Sequence, residues 1–143
     1  MDHSFKQKVA ERPGGENVKL CYSCGTCTAG CPVSEINKDF NPRAYIRKIL
    51  LGLKEEVLSD KNIWLCIQCH RCVAHCPQNV KFADVLRVVR ELAVEEGFFQ
   101  PDTIPDMERL DDAIIRYRTQ AAEKYLCGGQ RIEDLNGICL RGL

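Results

Sequence analysis

The chain has 143 residues, enough for one compact domain with a moderate hydrophobic core. Twenty Lys and Arg residues balance twenty Asp and Glu residues, and no basic cluster suggests nucleic-acid binding. The charged N-terminal segment lacks the apolar stretch of a signal peptide, and no apolar run approaches the roughly twenty residues that cross a bilayer. We therefore expect a cytoplasmic protein without direct membrane insertion, where clustered thiols bind metal more often than they form disulfides.

Eight of the ten cysteines lie in two matching segments. "NVKLCYSCGTCTAGCP", residues 17–32, and "NIWLCIQCHRCVAHCP", residues 62–77, agree at eight of sixteen positions, including every cysteine and the proline. The similarity fades on either side, which indicates that a metal-binding loop is duplicated rather than a larger repeat module.

Each segment contains Cys-x2-Cys-x2-Cys-x3-Cys-Pro, the pattern of ferredoxins that carry two 4Fe-4S clusters. In those proteins three cysteines of one loop bind one cluster and the fourth cysteine serves the other cluster. We therefore predict two 4Fe-4S clusters with crossed ligands. The predicted ligands of the first cluster are Cys21, Cys24, Cys27 and Cys76, and those of the second are Cys66, Cys69, Cys72 and Cys31.

Zinc is the competing metal, but structural zinc sites usually combine two separated Cys-x2-Cys pairs, which two unbroken quartets fit poorly. A three-iron cluster is disfavoured by the complete set of eight cysteines. His70 and His75 are expected near the clusters rather than as ligands, because no ligand position is vacant. The second loop is the more cationic, so we predict the higher reduction potential for the cluster bound mainly by Cys66, Cys69 and Cys72.

The remaining pattern is helical. Asn41 is a suitable N-cap, and the apolar spacing after it predicts a helix from about Pro42 to Leu51, followed by a short helical turn near residues 54–58. After the second loop, the apolar positions at 85–93 predict another amphipathic helix, which Gly97 can end. Each metal loop is thus followed by a helix, and no strand signal of similar strength occurs, so the fold class is mainly α.

A third helix is predicted from about Pro105 to Leu126, with an apolar stripe that packs either on its own domain or on a partner subunit. The predicted organisation is an N-terminal arm at 1–16, a two-cluster domain at 17–98 and a C-terminal helix and tail at 99–143. Cys127 and Cys139 lie outside both motifs. We expect ordinary free thiols there, with a redox-active pair or a contribution to a neighbouring subunit's site as alternatives.

The sequence resembles the C subunit of heterodisulfide reductase and related subunits of the same complex type. The resemblance covers about residues 16–98. It is carried by "LCYSCGTCTAGCPV" (20–33), "NPRAYIRKILLGL" (41–53), "IWLCIQCHRCVAHCP" (63–77) and "KFADVLRVVRELAVEEG" (81–97). It implies an α-helical ferredoxin-type fold, with the eight cysteines named above as cluster ligands. The predicted C-terminal helical extension lies outside the family pattern.

The same resemblance implies an electron-transfer subunit, without an active site of its own, between a flavin-containing A-type subunit and a B-type subunit with CCG motifs that reduces a disulfide. The CCG motif itself is absent from this chain. Two other functions stay open. One is the iron–sulfur subunit of a membrane-associated quinone-linked dehydrogenase, although no third cysteine group is present for a 2Fe-2S domain. The other is a freestanding two-cluster ferredoxin.

Overall fold

The structure is a computed structural model that describes residues 1–128; Cys139 and the tail predicted after Cys127 lie outside the described residues, apart from Gly128. The chain divides into two compact units, Met1–Pro101 and a second unit that begins at Asp102. The described residues form α-helices and short 3-10 turns with no strand, which confirms the mainly α prediction. The helices are α1 (Phe5–Ala10), α2 (Thr26–Ala29), α3 (Pro32–Ile36), α4 (Pro42–Leu50), α5 (Lys54–Leu58), α6 (Arg71–Ala74), α7 (Phe82–Glu95) and α8 (Thr103–Gly128).

Helix α7 forms the centre of the first unit, where it packs against α1, α5, α6 and the 3-10 turn before the second cysteine segment. Val, Leu and Ala recur along α7 at helical spacing, which places these apolar side chains on one side of the helix. This side is buried. It ends as predicted at Gly97, which has φ +80°. Gly97 N–H donates to the carbonyl of Val94 (3.0 Å) and Phe98 N–H to that of Ala93 (2.9 Å), the bonds of a Schellman motif. The buried residues of α7 are Phe82, Ala83, Val85, Leu86, Val88, Val89, Leu92 and Ala93.

Helix α4 begins where the sequence predicts. The side chain of Asn41 accepts a hydrogen bond from the backbone N–H of Ala44 at 3.1 Å, and Pro42 occupies the first turn, where its missing N–H costs nothing. Ile46 and Ile49 are buried on its inner face. The predicted helical turn at 54–58 is also present, as α5.

The N-terminal segment contributes to the core. Helix α1 buries Phe5 and Val9 completely, and the chain after it passes so close that a Cβ built on Gly15 would lie 1.9 Å from the carbonyl oxygen of Val9. Arg12 then donates two hydrogen bonds to the carboxylate of Glu95, at 2.7 and 2.5 Å. The residues predicted as an arm are therefore packed within the first unit, while the domain boundaries at 16/17 and 98/99 stay predictions.

Helix α8 is the described part of the second unit. It was predicted from about Pro105 to Leu126 and extends slightly beyond both ends. Its apolar residues remain partly or fully exposed, with Ile114 45% and Ile115 61% accessible. Within residues 1–128, no helix combines the length and the apolar character needed to cross a membrane.

Candidate cluster-binding site

The two cysteine segments have the same local structure. We call residues 21–32 the first loop and residues 66–77 the second loop. A 3-10 turn precedes each loop, at Val18–Leu20 and at Lys61–Leu65, and a four-residue helix lies inside each loop, α2 in the first and α6 in the second. These two short helices pack against each other. The sequence repeat is thus a structural repeat, in which two equivalent loops face one another.

Each loop bends through the same two left-handed residues. Ser23 (φ 62°) and Gln68 (φ 49°) stand before the second cysteine of their loops, and Gly25 (φ 86°) and His70 (φ 57°) stand after it. The left-handed region costs a residue with a side chain about 1–3 kcal/mol, whereas glycine enters it freely. The first loop uses a glycine at the second of these positions, and the second loop forces a histidine into the same conformation.

The eight thiols of the two loops line two neighbouring pockets. Cys21, Cys24, Cys27 and Cys76 line the first pocket, and Cys66, Cys69, Cys72 and Cys31 line the second. Cys72 also lines the first pocket, so it stands between the two. Each pocket thus combines three cysteines of one loop with at least one of the other, a grouping compatible with crossed ligation.

The lining of both pockets suits an iron–sulfur cluster. The cysteines that the structure describes are all free thiols, and the pockets that they line have apolar walls, including Ile46 and Val80 in the first and Phe40 in the second. Cysteine thiolates are the usual ligands of 4Fe-4S clusters, and the burial of a cluster is one determinant of its reduction potential.

Donors are already directed at several sulfur atoms. Ser23 N–H donates to Cys21 Sγ and Val80 N–H to Cys76 Sγ, both at 3.4 Å. The hydroxyl of Thr26 lies 3.3 Å from the sulfur atom of the exposed Cys24. Hydrogen bonds to cluster sulfur atoms are among the main determinants of reduction potential. The residues present therefore fit an iron–sulfur cluster in each pocket.

Burial controls the protonation of the metal-free thiols. It raises the pKa of the Cys72 thiol to about 11, and it also raises the pKa of the Cys27 and Cys66 thiols. The exposed Cys24 differs, because hydrogen bonds from Thr26 lower its thiol pKa. A metal binds the thiolate form of cysteine, so cluster insertion must displace protons from these partly buried thiols. The thiols therefore depend on the metal for their charged form.

Cations lie beside both pockets. Arg43 of α4 lines the first pocket, and His70 and Arg71 line the second. Arg90 of α7 fixes the entry to the second loop, where its guanidinium donates to the carbonyl oxygens of Ile63 and Cys66, both at 2.9 Å. It also lies 5.3 Å from the centre of the Trp64 ring, a cation–π distance.

Two of these features could not be read from the sequence. Arg90 appears there only as a polar position on an amphipathic helix, and its carbonyl partners lie 24 and 27 residues earlier in the chain. Arg43 lies outside both cysteine loops, and nothing in the sequence around it indicates a position beside a pocket. Of the other singled-out residues, His75 ends α6 and is exposed, and Cys127 is an exposed free thiol in α8.

Comparison with known proteins supports this interpretation. A family model described as a 4Fe-4S dicluster domain matches residues 17–80. The C subunit of the H2:CoB-CoM heterodisulfide, ferredoxin reductase of Methanothermobacter thermautotrophicus is 39% identical over 101 residues, which are 71% of this chain and 54% of that protein. The iron–sulfur C subunit of the CoB–CoM heterodisulfide reductase of Methanopyrus kandleri is 39% identical over 82 residues, 57% of this chain and 42% of the relative.

A third relative is the C2 subunit of the H2/formate:CoB-CoM heterodisulfide, ferredoxin reductase of Methanococcus maripaludis, 40% identical over 88 residues, 59% of this chain and 47% of that protein. The chain thus spans about half the length of the relatives that it matches. Its helical fold is consistent with a ferredoxin-type iron–sulfur protein. Residues 17–80 thus match a 4Fe-4S dicluster domain, and the predicted resemblance to the C subunit of heterodisulfide reductase is confirmed.

Proposed function

We propose that this chain is a two-cluster electron-transfer subunit of a heterodisulfide-reductase-like complex. The observation that carries the proposal is the grouping of eight cysteines around two adjacent pockets, with at least four lining thiols for each proposed cluster. A 4Fe-4S cluster with four protein thiolates accepts and releases single electrons. No coordination position is left for a substrate, so each centre transfers electrons only.

The protein's part is to hold, shield and tune these centres. Three thiols from one loop and one from the other attach each cluster, so both loops are required at both sites. Backbone N–H groups of Ser23 and Val80 donate to ligand sulfur atoms, which favours extra negative charge there. Cys24 and Cys69 are exposed, and each brings one edge of its pocket to the surface, where a partner can approach.

The proposed partners are a flavin-containing A-type subunit and a B-type subunit with CCG motifs. Support comes from the relatives, whose names describe them as C subunits of heterodisulfide reductases. Such a name implies further subunits in those proteins. We propose the same kind of assembly here, with electrons entering through one cluster and leaving through the other.

The cofactor is tested on the whole chain purified under strict exclusion of oxygen. About eight iron and eight acid-labile sulfide per chain are expected, with absorption that bleaches on reduction. Stoichiometric zinc without sulfide would overturn the cluster proposal. Four iron and four sulfide would leave one pocket without its cluster and contradict a two-cluster relay.

The partners are tested separately, by gentle anaerobic isolation of the native chain and mass spectrometry of the proteins that accompany it. A flavoprotein together with a CCG-motif subunit is the expected result. A cytochrome with a flavin dehydrogenase would support the quinone-linked alternative, and elution near the 16.2 kDa of the single chain would support a freestanding ferredoxin. Either of these two results would contradict the proposed complex.

A further inference from the structure

Phe82 lies between the two cluster pockets. It is the first residue of α7, its side chain is only 3% exposed, and it lines both pockets. Among the lining residues that the structure describes, Cys72 alone shares this position, and Cys72 is a proposed cluster ligand. Phe82 is therefore the non-ligand side chain that faces both centres.

Its chain neighbours line one pocket each. Two residues earlier, Val80 lines the first pocket, and its N–H donates to Cys76 Sγ at 3.4 Å. One residue later, Ala83 lines the second pocket. The segment 80–83 thus spans the space between the clusters with Phe82 inside it.

Aromatic neighbours fix the orientation of the Phe82 ring. The ring of Phe40 meets it edge-on at 6.3 Å between centroids, and the ring of Tyr45 stacks on it at 6.4 Å. Phe40 and Tyr45 are both buried. A buried ring packed in this way places apolar atoms between the two pockets.

An apolar partition has two physical consequences. Charge on one cluster acts on the other through a low-dielectric medium, in which Coulomb interactions are stronger than across water. A single electron that moves between the clusters oxidises one and reduces the other, with no proton or other group transferred, and a fixed apolar gap lowers the solvent reorganisation that accompanies this step.

We propose that Phe82 is a positioning residue that couples the two clusters, by excluding water from the space between them and fixing their separation. This inference rests on the proposed function, since it requires both pockets to hold 4Fe-4S clusters. It predicts that a change at Phe82 affects both centres, whereas a change at Val33, which lines the second of the two pockets and not the first, affects one.

The experiment compares Phe82→Leu with the control variant Val33→Ala in the full chain, purified anaerobically. Iron and sulfide content and a redox titration followed by EPR are measured for each, after the wild-type chain has been shown to hold two clusters. In Phe82→Leu we expect both reduction steps to shift and the magnetic interaction between the two reduced clusters to change. In Val33→Ala we expect only the cluster of Cys66, Cys69 and Cys72 to shift.

If Phe82→Leu retains both clusters and alters only one of them, or neither, the coupling role is wrong. If this variant fails to bind clusters, Phe82→Met, which nearly keeps the volume of the side chain, is judged by the same two criteria. A wild-type chain without two clusters would overturn the proposed function itself, a result distinct from two intact clusters of which only one responds.

Discussion

The first and second loops are built from the same cysteine spacing but differ in what surrounds the cysteines. The first contains Gly25 at its left-handed position and small residues around it, whereas the second contains His70 in the same conformation. Arg90 also ties α7 to the entry of the second loop, through its hydrogen bonds to the carbonyl oxygens of Ile63 and Cys66. Equal spacing therefore determines where the ligands lie, while the residues between them determine strain, anchoring and charge at each centre.

We expect the largest effect from removal of the metal, because the two loops depend on the clusters more than the rest of the first unit does. The helices α2 and α6 have only four residues each and no fully buried side chain, so we expect the clusters to supply much of their stability. After iron removal, we expect the amides of both loops to lose their protection from hydrogen exchange while those of α7, with its buried apolar side, keep most of theirs. Hydrogen exchange read by mass spectrometry measures this.

Equal protection of the loops with and without metal would show that the cysteine loops are folded independently of the clusters. Chemical removal of iron followed by reconstitution provides the control, since reconstituted protein should regain the original protection pattern.

Arg90→Gln should damage the second loop more than the first. The change weakens charge-assisted hydrogen bonds to the carbonyl oxygens of Ile63 and Cys66, each worth about 1.5–3 kcal/mol in a half-buried position. We expect a loss of about 2–4 kcal/mol of stability and faster release of the second cluster, measured by thermal bleaching and cluster-resolved EPR.

The matched control is Arg87→Gln on the same helix, which removes an exposed ion pair with Glu91 and an exposed hydrogen bond to the carbonyl oxygen of Pro13, and should cost less than about 1 kcal/mol. Equal effects of the two substitutions would show that Arg90 does not anchor the loop.

Exchanging the left-handed residues tests the difference in strain. His70→Gly should stabilise the second loop by about 1 kcal/mol, because a histidine is released from a strained conformation, and Gly25→Ala should destabilise the first loop by a similar amount. Gly30→Ala serves as the control, since its φ is ordinary and an added Cβ would meet nothing closer than 3.5 Å. The midpoint temperature of cluster bleaching reports all three, and a lower midpoint in His70→Gly would contradict the account of strain.

The smallest expected effect concerns the two reduction potentials. Positive charge favours the reduced cluster, and the second pocket has His70, Arg71 and the nearby Arg90, whereas the first has Arg43. We predict the higher reduction potential for the second cluster. We also predict that Arg43→Gln lowers the potential of the first cluster and so widens the difference between the two potentials. A redox titration with EPR assignment of each signal measures both, and the reverse order of potentials would contradict the prediction.

Much of this arrangement could be predicted from the sequence. Helices α4 and α7 were predictable because their apolar residues recur at helical spacing and because Asn41 and Gly97 mark their ends. The spacing within each motif and the closing proline predict the two mixed ligand sets, and this assignment stays a prediction. Helix α1 was missed because six residues with two buried side chains, Phe5 and Val9, give too short a periodic signal.

The details that distinguish the two loops were beyond the sequence. Backbone carbonyl groups carry no sequence signature, so the bonds of Arg90 depend on tertiary structure alone. The left-handed conformation of His70 could not be predicted, because histidine seldom adopts it. Phe82 appeared as one apolar position in a helix, and only the folded chain shows that it lies between both pockets.

The central claim is that each cluster takes its fourth ligand from the opposite loop. The most direct test is EPR and Mössbauer spectroscopy on four single variants of the reconstituted chain. Cys24→Ala and Cys69→Ala, at the exposed edges of the first and second pockets, assign the two cluster signals. We predict that Cys76→Ala alters the same signal as Cys24→Ala, and that Cys31→Ala alters the same signal as Cys69→Ala. If Cys76→Ala instead altered the signal assigned by Cys69→Ala, each loop would bind its own cluster and the crossed arrangement would be wrong.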